Sequence, residues 1–181
     1  MKLFRVIFAT TLLTIMCFNS YGDEVKERAR KAVELGWSYF HKGDLGTALK
    51  RFNQALIIDK NFAPAYFGIA YVYSLQNKLD LAIENYKKSI ELDPSYSHSY
   101  SNLGLALLYI NKKDEALPML KKALEIDPKN GDAHVNIATY YFVVEDYQKA
   151  WEHVHIAQNL KVYVKKEFLE DLKSRYPEPS K

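Results

Sequence analysis

The sequence predicts an all-α fold of repeated helical hairpins, because of a fixed 34-residue spacing, helical patterns of apolar residues and prolines that end helices. The spacing is clearest in a column of alanines, Ala48, Ala82, Ala116 and Ala150. Five further columns keep the same register: Leu35, Ile69, Leu103 and Ile137; Gly36, Ala70, Gly104 and Ala138; Tyr39, Tyr73, Leu107 and Tyr141; Phe52, Tyr86, Leu120 and Val154; Ala55, Ser89, Ala123 and Ala157. Six columns in one register indicate four copies of one structural unit.

Each copy has the pattern of a helical hairpin. In the second copy, two runs of apolar residues at helical spacing are separated by Asn77 and Lys78. Pro94 and Pro128 are expected to end second helices, because proline cannot continue the hydrogen-bond ladder. The column of glycines and alanines lets the two helices of a hairpin approach closely. A lone hairpin cannot bury its apolar face, so the four copies are expected to stack.

These columns closely resemble the tetratricopeptide repeat over about residues 29–162. The resemblance implies a right-handed α-solenoid of four helix-turn-helix repeats, at residues 29–62, 63–96, 97–130 and 131–162. Lys60 and Val162 depart from the pattern, since they replace the closing proline of the first and fourth copies. Pro118 is placed near the start of a second helix, where backbone N–H groups lack partners, so we expect it to be tolerated.

Residues 1–22 are typical of an export signal. The short basic segment Met1–Arg5 precedes the apolar run Val6–Phe18, and the small residues Ser20 and Gly22 predict cleavage after Gly22. The apolar run has thirteen residues, whereas a membrane-spanning helix needs roughly 20. We therefore predict that residues 23–162 form an exported repeat domain, periplasmic or extracellular.

A lipid anchor is the alternative for this leader. Cys17 closes the apolar run, where a lipidated cysteine would lie, but Met16 replaces the small residue that the bacterial lipobox places before the cysteine. We expect membrane attachment only if Cys17 is lipidated or the leader is not cleaved.

The C-terminal segment is predicted to cover the last repeat. Val164, Phe168 and Leu172 form one apolar stripe among charged residues, as the half-polar cover of a terminal repeat requires. Residues 163–175 are therefore predicted to form a capping helix. Residues 176–181 contain two prolines and are predicted to be a frayed tail.

Composition and motifs argue against several functions. Without Lys2 and Arg5, 23 basic residues face 22 acidic ones, so charge gives no support for nucleic-acid binding. Cys17 is the single cysteine, and its removal would leave no thiol for a disulfide, a zinc site or a nucleophile. His153 and His155 point to different helix faces, so no metal site is expected. Because phosphate-binding loops and hydrolase motifs are missing, we predict a protein without enzymatic activity or cofactor.

The resemblance implies that first helices line a concave groove that receives a peptide or a partner helix. Three rows of the sequence match the groove positions: Val33, Phe67, Ser101 and Val135; Trp37, Tyr71, Leu105 and Thr139; and the more polar Glu34, Gly68, Asn102 and Asn136. The family's basic clamp for C-terminal carboxylates is missing, because Val33 and Trp37 stand where it needs lysine and asparagine.

Two interpretations of these residues remain open. Trp37 and Tyr71 either anchor a partner or pack between adjacent first helices. Asn102 and Asn136 either hydrogen-bond a peptide backbone or bridge neighbouring helices.

The preferred functional hypothesis is an exported adaptor that holds a peptide or helix in the groove, in the assembly of an envelope complex, as a monomer or weak homo-oligomer. The alternative is a structural subunit that self-associates through an apolar face or an end of the solenoid.

Overall fold

The computed structural model describes residues 2–179, and the side chains of residues 22–179. Within that range it contains nine helices and no strand, which confirms the all-α prediction. The helices are α1 (Lys2–His41), α2 (Leu45–Ile58), α3 (Ala63–Leu75), α4 (Leu79–Leu92), α5 (Ser97–Tyr109), α6 (Lys113–Ile126), α7 (Gly131–Val143), α8 (Tyr147–Asn159) and α9 (Lys166–Arg175). Among the described residues, no helix has the length and apolarity needed to cross a membrane.

The predicted leader falls within α1. Side chains of residues 1–21, including Cys17, lie outside the described residues. Cleavage after Gly22 and lipidation of Cys17 therefore remain predictions.

The chain forms two compact units, Met1–Gly68 and Ile69–Lys181, whose boundary lies within α3. In the first unit α1 packs against α2. Phe52 of α2 is fully buried, and its ring centroid lies 5.1 Å from that of Trp37 in α1. An aromatic core therefore joins the two helices of this unit.

In the second unit, first and second helices alternate. α5 packs against α6 and α7 against α8, while α5 also packs against the next first helix, α7. Tyr86, Leu120 and Val154, one residue from each second helix, are fully buried. The apolar column that begins with Phe52 in the sequence is thus a core column in this unit too.

The turns within the hairpins share one backbone conformation. Gly43, Asn77, Asn111 and Glu145, which are 34 residues apart, have φ between 57° and 80°. In each turn the next backbone N–H returns to a carbonyl of the first helix, as from Lys112 N to Leu107 O at 2.9 Å. This is the left-handed cap that often ends a helix, and glycine and asparagine tolerate it best.

Pro118 differs from its predicted environment. It is the sixth residue of α6, which begins at Lys113, and therefore lies beyond the first turn. The carbonyl of Asp114, four residues earlier, has no N–H of Pro118 to accept from. Pro118 is exposed, so water can reach this part of the helix.

The C-terminal end also differs from the prediction. The capping helix begins at Lys166 rather than near residue 163, and Val164 and Leu172 are buried against the core of α8. The tail, predicted to fray, contacts α8: Trp151 Nε1 donates to Tyr176 O at 3.0 Å, and His155 Nε2 lies 3.1 Å from Glu178 Oε1.

Close approach of the two helices in a hairpin depends on the small-residue column. A Cβ atom on Gly104 of α5 would lie 2.6 Å from Leu120 Cγ of α6 and 3.1 Å from the carbonyl oxygen of Ala116. The second distance involves backbone, which cannot move as a side chain can. The glycine is therefore needed for the spacing between α5 and α6.

We expect Gly104→Val to lower the free energy of unfolding by about 1–3 kcal/mol, because the added carbons overpack the α5–α6 contact. Urea denaturation followed by circular dichroism measures this. Gly46→Val is the matched control, since a Cβ there has only Asp44 Oδ1 at 3.7 Å nearby. Equal effects of the two substitutions would contradict the packing argument.

Candidate protein-binding site

The predicted groove residues differ in depth. Val33, Phe67, Ser101 and Asn136 are buried, whereas Trp37, Tyr71, Asn102, Leu105, Val135 and Thr139 are half-buried. The row that starts at Val33 therefore contributes mainly to packing, and the row that starts at Trp37 is nearer the surface.

Asn136 bridges two first helices. Its amide Nδ2 donates to Ser101 Oγ at 2.8 Å and approaches Ser101 O at 3.4 Å, which joins α7 to α5. Asn102 is engaged locally, because its Nδ2 donates to His98 O at 2.9 Å. The Asn136 contact corresponds to the bridging role, whereas the Asn102 contact lies within α5 and joins no neighbouring helix.

Trp37 takes part in the aromatic core of the first unit. Its ring centroid lies 5.3 Å from that of Phe40 and 5.9 Å from that of Phe67, besides the contact with Phe52. This is the packing role considered for Trp37. Because its side chain is half-buried, part of the ring still faces solvent.

Tyr71 lies in the second unit, close to the start of α7. Burial raises the pKa of its phenol, and the negative charge of Asp132 raises it further. The hydroxyl therefore stays protonated at neutral pH and can donate a hydrogen bond.

The most exposed row of this helix face is absent from the predicted groove. Leu75, Tyr109 and Val143 each follow the row of Tyr71, Leu105 and Thr139 by four residues, so they extend the same face of each first helix. Their side chains are 58%, 64% and 39% exposed. The signal was available, because the three residues are themselves 34 apart.

We call six of these residues the first-helix stripe: Tyr71, Leu75, Leu105, Tyr109, Thr139 and Val143. All six lie in the second unit, and none is charged. The stripe combines apolar and aromatic side chains with an exposed outer row. Such a surface can bury apolar area against another molecule.

A pair of histidines on another part of the second unit was also missed. His134 Nδ1 of α7 lies 2.9 Å from His153 Nδ1 of α8, and His134 Nε2 lies 3.3 Å from Pro128 O. Burial lowers the pKa of His153 to about 4, with the charge of His134 as the second cause. Among the described residues, no group of three His, Cys, Asp or Glu side chains could hold a metal ion.

Models of the tetratricopeptide repeat match residues 63–96, 98–130 and 119–152. Within residues 63–152 the chain therefore resembles tetratricopeptide repeats. The third match begins within the second helix α6 and ends within the second helix α8, whereas the other two matches begin with a first helix. No curated protein matches the chain at a significant level.

Solved structures share the fold at low identity. A thermophilic tetratricopeptide protein of Thermus thermophilus, TTC0263, is 21% identical, with a TM-score of 0.70 over 82% of this chain and 81% of that one. PilF of Pseudomonas aeruginosa is 21% identical, with a TM-score of 0.70 over 84% and 70%. The first tetratricopeptide domain of Spaghetti (RPAP3), bound to the HSP90 peptide SRMEEVD, is 22% identical, with a TM-score of 0.61 over 66% and 95%.

We expect the histidine pair to make stability depend on pH. The folded pKa of His153 is about 4 and an unfolded histidine titrates near 6.5, so between these values the unfolded chain binds more protons. This contribution is complete above pH 6.5 and is lost as pH falls toward 4. It amounts to about 1 kcal/mol between pH 7.5 and 5.5, with an allowance for the partial exposure of the ring.

Urea denaturation of the wild type and of His153→Gln at the two pH values tests this expectation. The wild type should lose more stability than the variant over that interval. The same loss in both proteins would show that carboxylates alone set the pH dependence.

Proposed function

We propose that the protein is a scaffold that binds another polypeptide along the first-helix stripe. The observation that supports this is the exposed, uncharged row Leu75, Tyr109 and Val143 at the edge of a half-buried apolar row. Apolar area exposed to water favours association, and tyrosine is among the side chains that contribute most at interfaces.

The chemistry of the stripe favours an apolar helix face as the bound element. An extended peptide leaves its backbone N–H and C=O groups to be hydrogen-bonded by the protein, and the amide nitrogens of Asn102 and Asn136 already donate to His98 and Ser101. A helix satisfies its own backbone, so it requires only apolar complementarity from the stripe. We therefore propose an amphipathic helix as the partner element.

The peptide in the Spaghetti structure, SRMEEVD, has a different character, because it carries acidic residues. The first-helix stripe has no basic side chain to pair with them. We propose that this chain uses the shared fold for a less charged ligand.

We also propose that the protein acts outside the cytoplasm, in the assembly of an envelope complex. The support for this is the leader pattern of residues 1–22, with its basic start and apolar run. Mass spectrometry of the N-terminus of the protein from its native cell would test it. A mature chain that begins at Asp23 is expected, and an intact leader in a cytoplasmic fraction would contradict it.

We expect the double substitution Leu75→Ala/Tyr109→Ala to weaken binding at least tenfold, because it removes two exposed apolar contacts, each worth about 1–2 kcal/mol at an interface. A partner captured from the envelope fraction would be purified, and its Kd measured by calorimetry.

The matched control is Ile57→Ala/Tyr163→Ala, which removes two apolar side chains outside the stripe that are even more exposed than Leu75 and Tyr109. This variant should change Kd less than twofold. Equal losses for both double variants would place the site elsewhere. If no partner is captured and light scattering shows concentration-dependent association that Leu75→Ala/Tyr109→Ala abolishes, the stripe instead joins copies of this chain.

A further inference from the structure

An open pocket of about 430 Å³ lies among α6, α7 and α8 of the second unit. Leu117, Leu124 and Ile137 supply its apolar walls, and Lys121, Tyr141 and His153 are among its polar groups. None of these residues belongs to the first-helix stripe. The volume falls in the range of about 300–1,000 Å³ that small ligands occupy in proteins.

The pocket carries one positive charge that no neighbour neutralises. Glu125 also lines it, but its carboxylate is paired with the Lys122 ammonium at 3.0 Å. Lys121 is exposed and forms no ion pair with any described residue. An anionic group is therefore the polar group that this pocket suits best.

The histidine pair determines which nitrogen of His153 remains available. If His134 Nε2–H donates to Pro128 O at 3.3 Å, His134 Nδ1 has no proton and accepts from His153 Nδ1–H at 2.9 Å. His153 Nε2 is then the basic nitrogen of a side chain that lines the pocket. Protonation at Nε2 adds a positive charge without breaking the bond between the two rings.

We propose that this pocket binds a carboxylic acid with an apolar body. The carboxylate pairs with Lys121 and with His153 when Nε2 is protonated, and the apolar body packs against Leu117, Leu124 and Ile137. Because a bound carboxylate favours the protonated imidazole, affinity increases as pH falls.

Charged and titratable groups of all three helices lie in or near the pocket that His153 lines. Lys121 and Glu125 come from α6, and His134 and Tyr141 come from α7, with the Tyr141 ring stacked on His153 at a centroid distance of 5.8 Å. From α8 itself, the Lys149 ammonium lies 5.2 Å from the centroid of the Tyr141 ring. Burial, followed by the charge of His134, lowers the pKa of His153 and keeps the ring neutral in the empty pocket, so a bound carboxylate is the component that can change its charge.

The experiment titrates the full chain with 3-phenylpropanoate at pH 7.5 and 5.5, by calorimetry and by NMR of the histidine ring protons. A carboxylate that raises the His153 pKa by about two units binds about fourfold more tightly at pH 5.5 than at pH 7.5. The uncharged 3-phenylpropanamide should bind at least tenfold more weakly than the acid at pH 5.5. If 3-phenylpropanoate binds but does not raise the wild-type His153 pKa, the proposal is overturned.

Two substitutions separate the roles. Lys121→Ala should weaken binding at both pH values, whereas His153→Gln should remove the pH dependence and keep the affinity measured at pH 7.5. Lys87→Ala is the matched control, because Lys87 occupies the same repeat position 34 residues earlier, where Tyr100 and Met119 replace the histidine pair. Equal losses for Lys121→Ala and Lys87→Ala would show non-specific attraction and overturn the proposal.

Circular dichroism verifies that each variant is folded. The NMR titration of the wild type tests the proposal even if a variant does not fold.

A second titration identifies the source of the carboxylate. A pentapeptide that ends in phenylalanine with a free carboxylate is compared with the same peptide as an amide. Binding by the acid peptide but not by 3-phenylpropanoate would support the site and assign it to chain ends, and binding by both would support a site open to free acids. If neither the acid peptide nor 3-phenylpropanoate binds, the pocket proposal is contradicted. If instead no partner binds the first-helix stripe, the pocket proposal is unaffected.

Discussion

The close contact between the first and second helix of each hairpin constrains most other features of the second unit. At Gly104 that contact leaves no room for a Cβ atom against Leu120 and the carbonyl of Ala116. Because the same small-residue column recurs every 34 residues, equivalent positions meet similar neighbours in successive repeats. The face of a first helix is therefore buried near its start and becomes exposed toward its end, as Ser101, Leu105 and Tyr109 show within α5. The surface available to a partner is the part of this face that packing does not use.

Polar groups near the buried end of that face hold neighbouring first helices together. Asn136 donates to Ser101 at 2.8 Å, and Asn130 donates to Ser97 at 3.0 Å while it caps the start of α7. A buried amide without these partners would cost about 1–3 kcal/mol, so each bridge fixes the register of the helices it joins. The Asn136 amide, which was considered for peptide recognition, is thus part of the scaffold, and the apolar outer row remains exposed.

The period of the sequence was sufficient to predict the all-α class, the small-residue column and the ends of α4 and α6. It was not sufficient to predict how deeply each residue of a helix face is buried. Ser101 and Tyr109 share a face, but Ser101 is fully buried and Tyr109 is 64% exposed. The burial of a side chain depends on how closely neighbouring helices approach each other. That distance is set by the side-chain volumes of several repeats together. Pro118 was placed too close to a helix start, because α6 begins at Lys113, five residues before it. The contacts of Tyr176 and Glu178 with α8 join residues more than twenty positions apart, which no local pattern indicates.

Repeats that share one backbone differ in chemistry only where equivalent positions carry different side chains. His134 and His153 occupy positions held by Tyr100 and Met119 in the preceding repeat. Only the histidines add a proton-binding nitrogen beside an unpaired lysine. An apolar contact such as Tyr109 responds little to pH, whereas a histidine contact responds within the range in which His153 titrates. A second site in this unit would therefore differ from the stripe in its dependence on pH, even though the same hairpin geometry supports both.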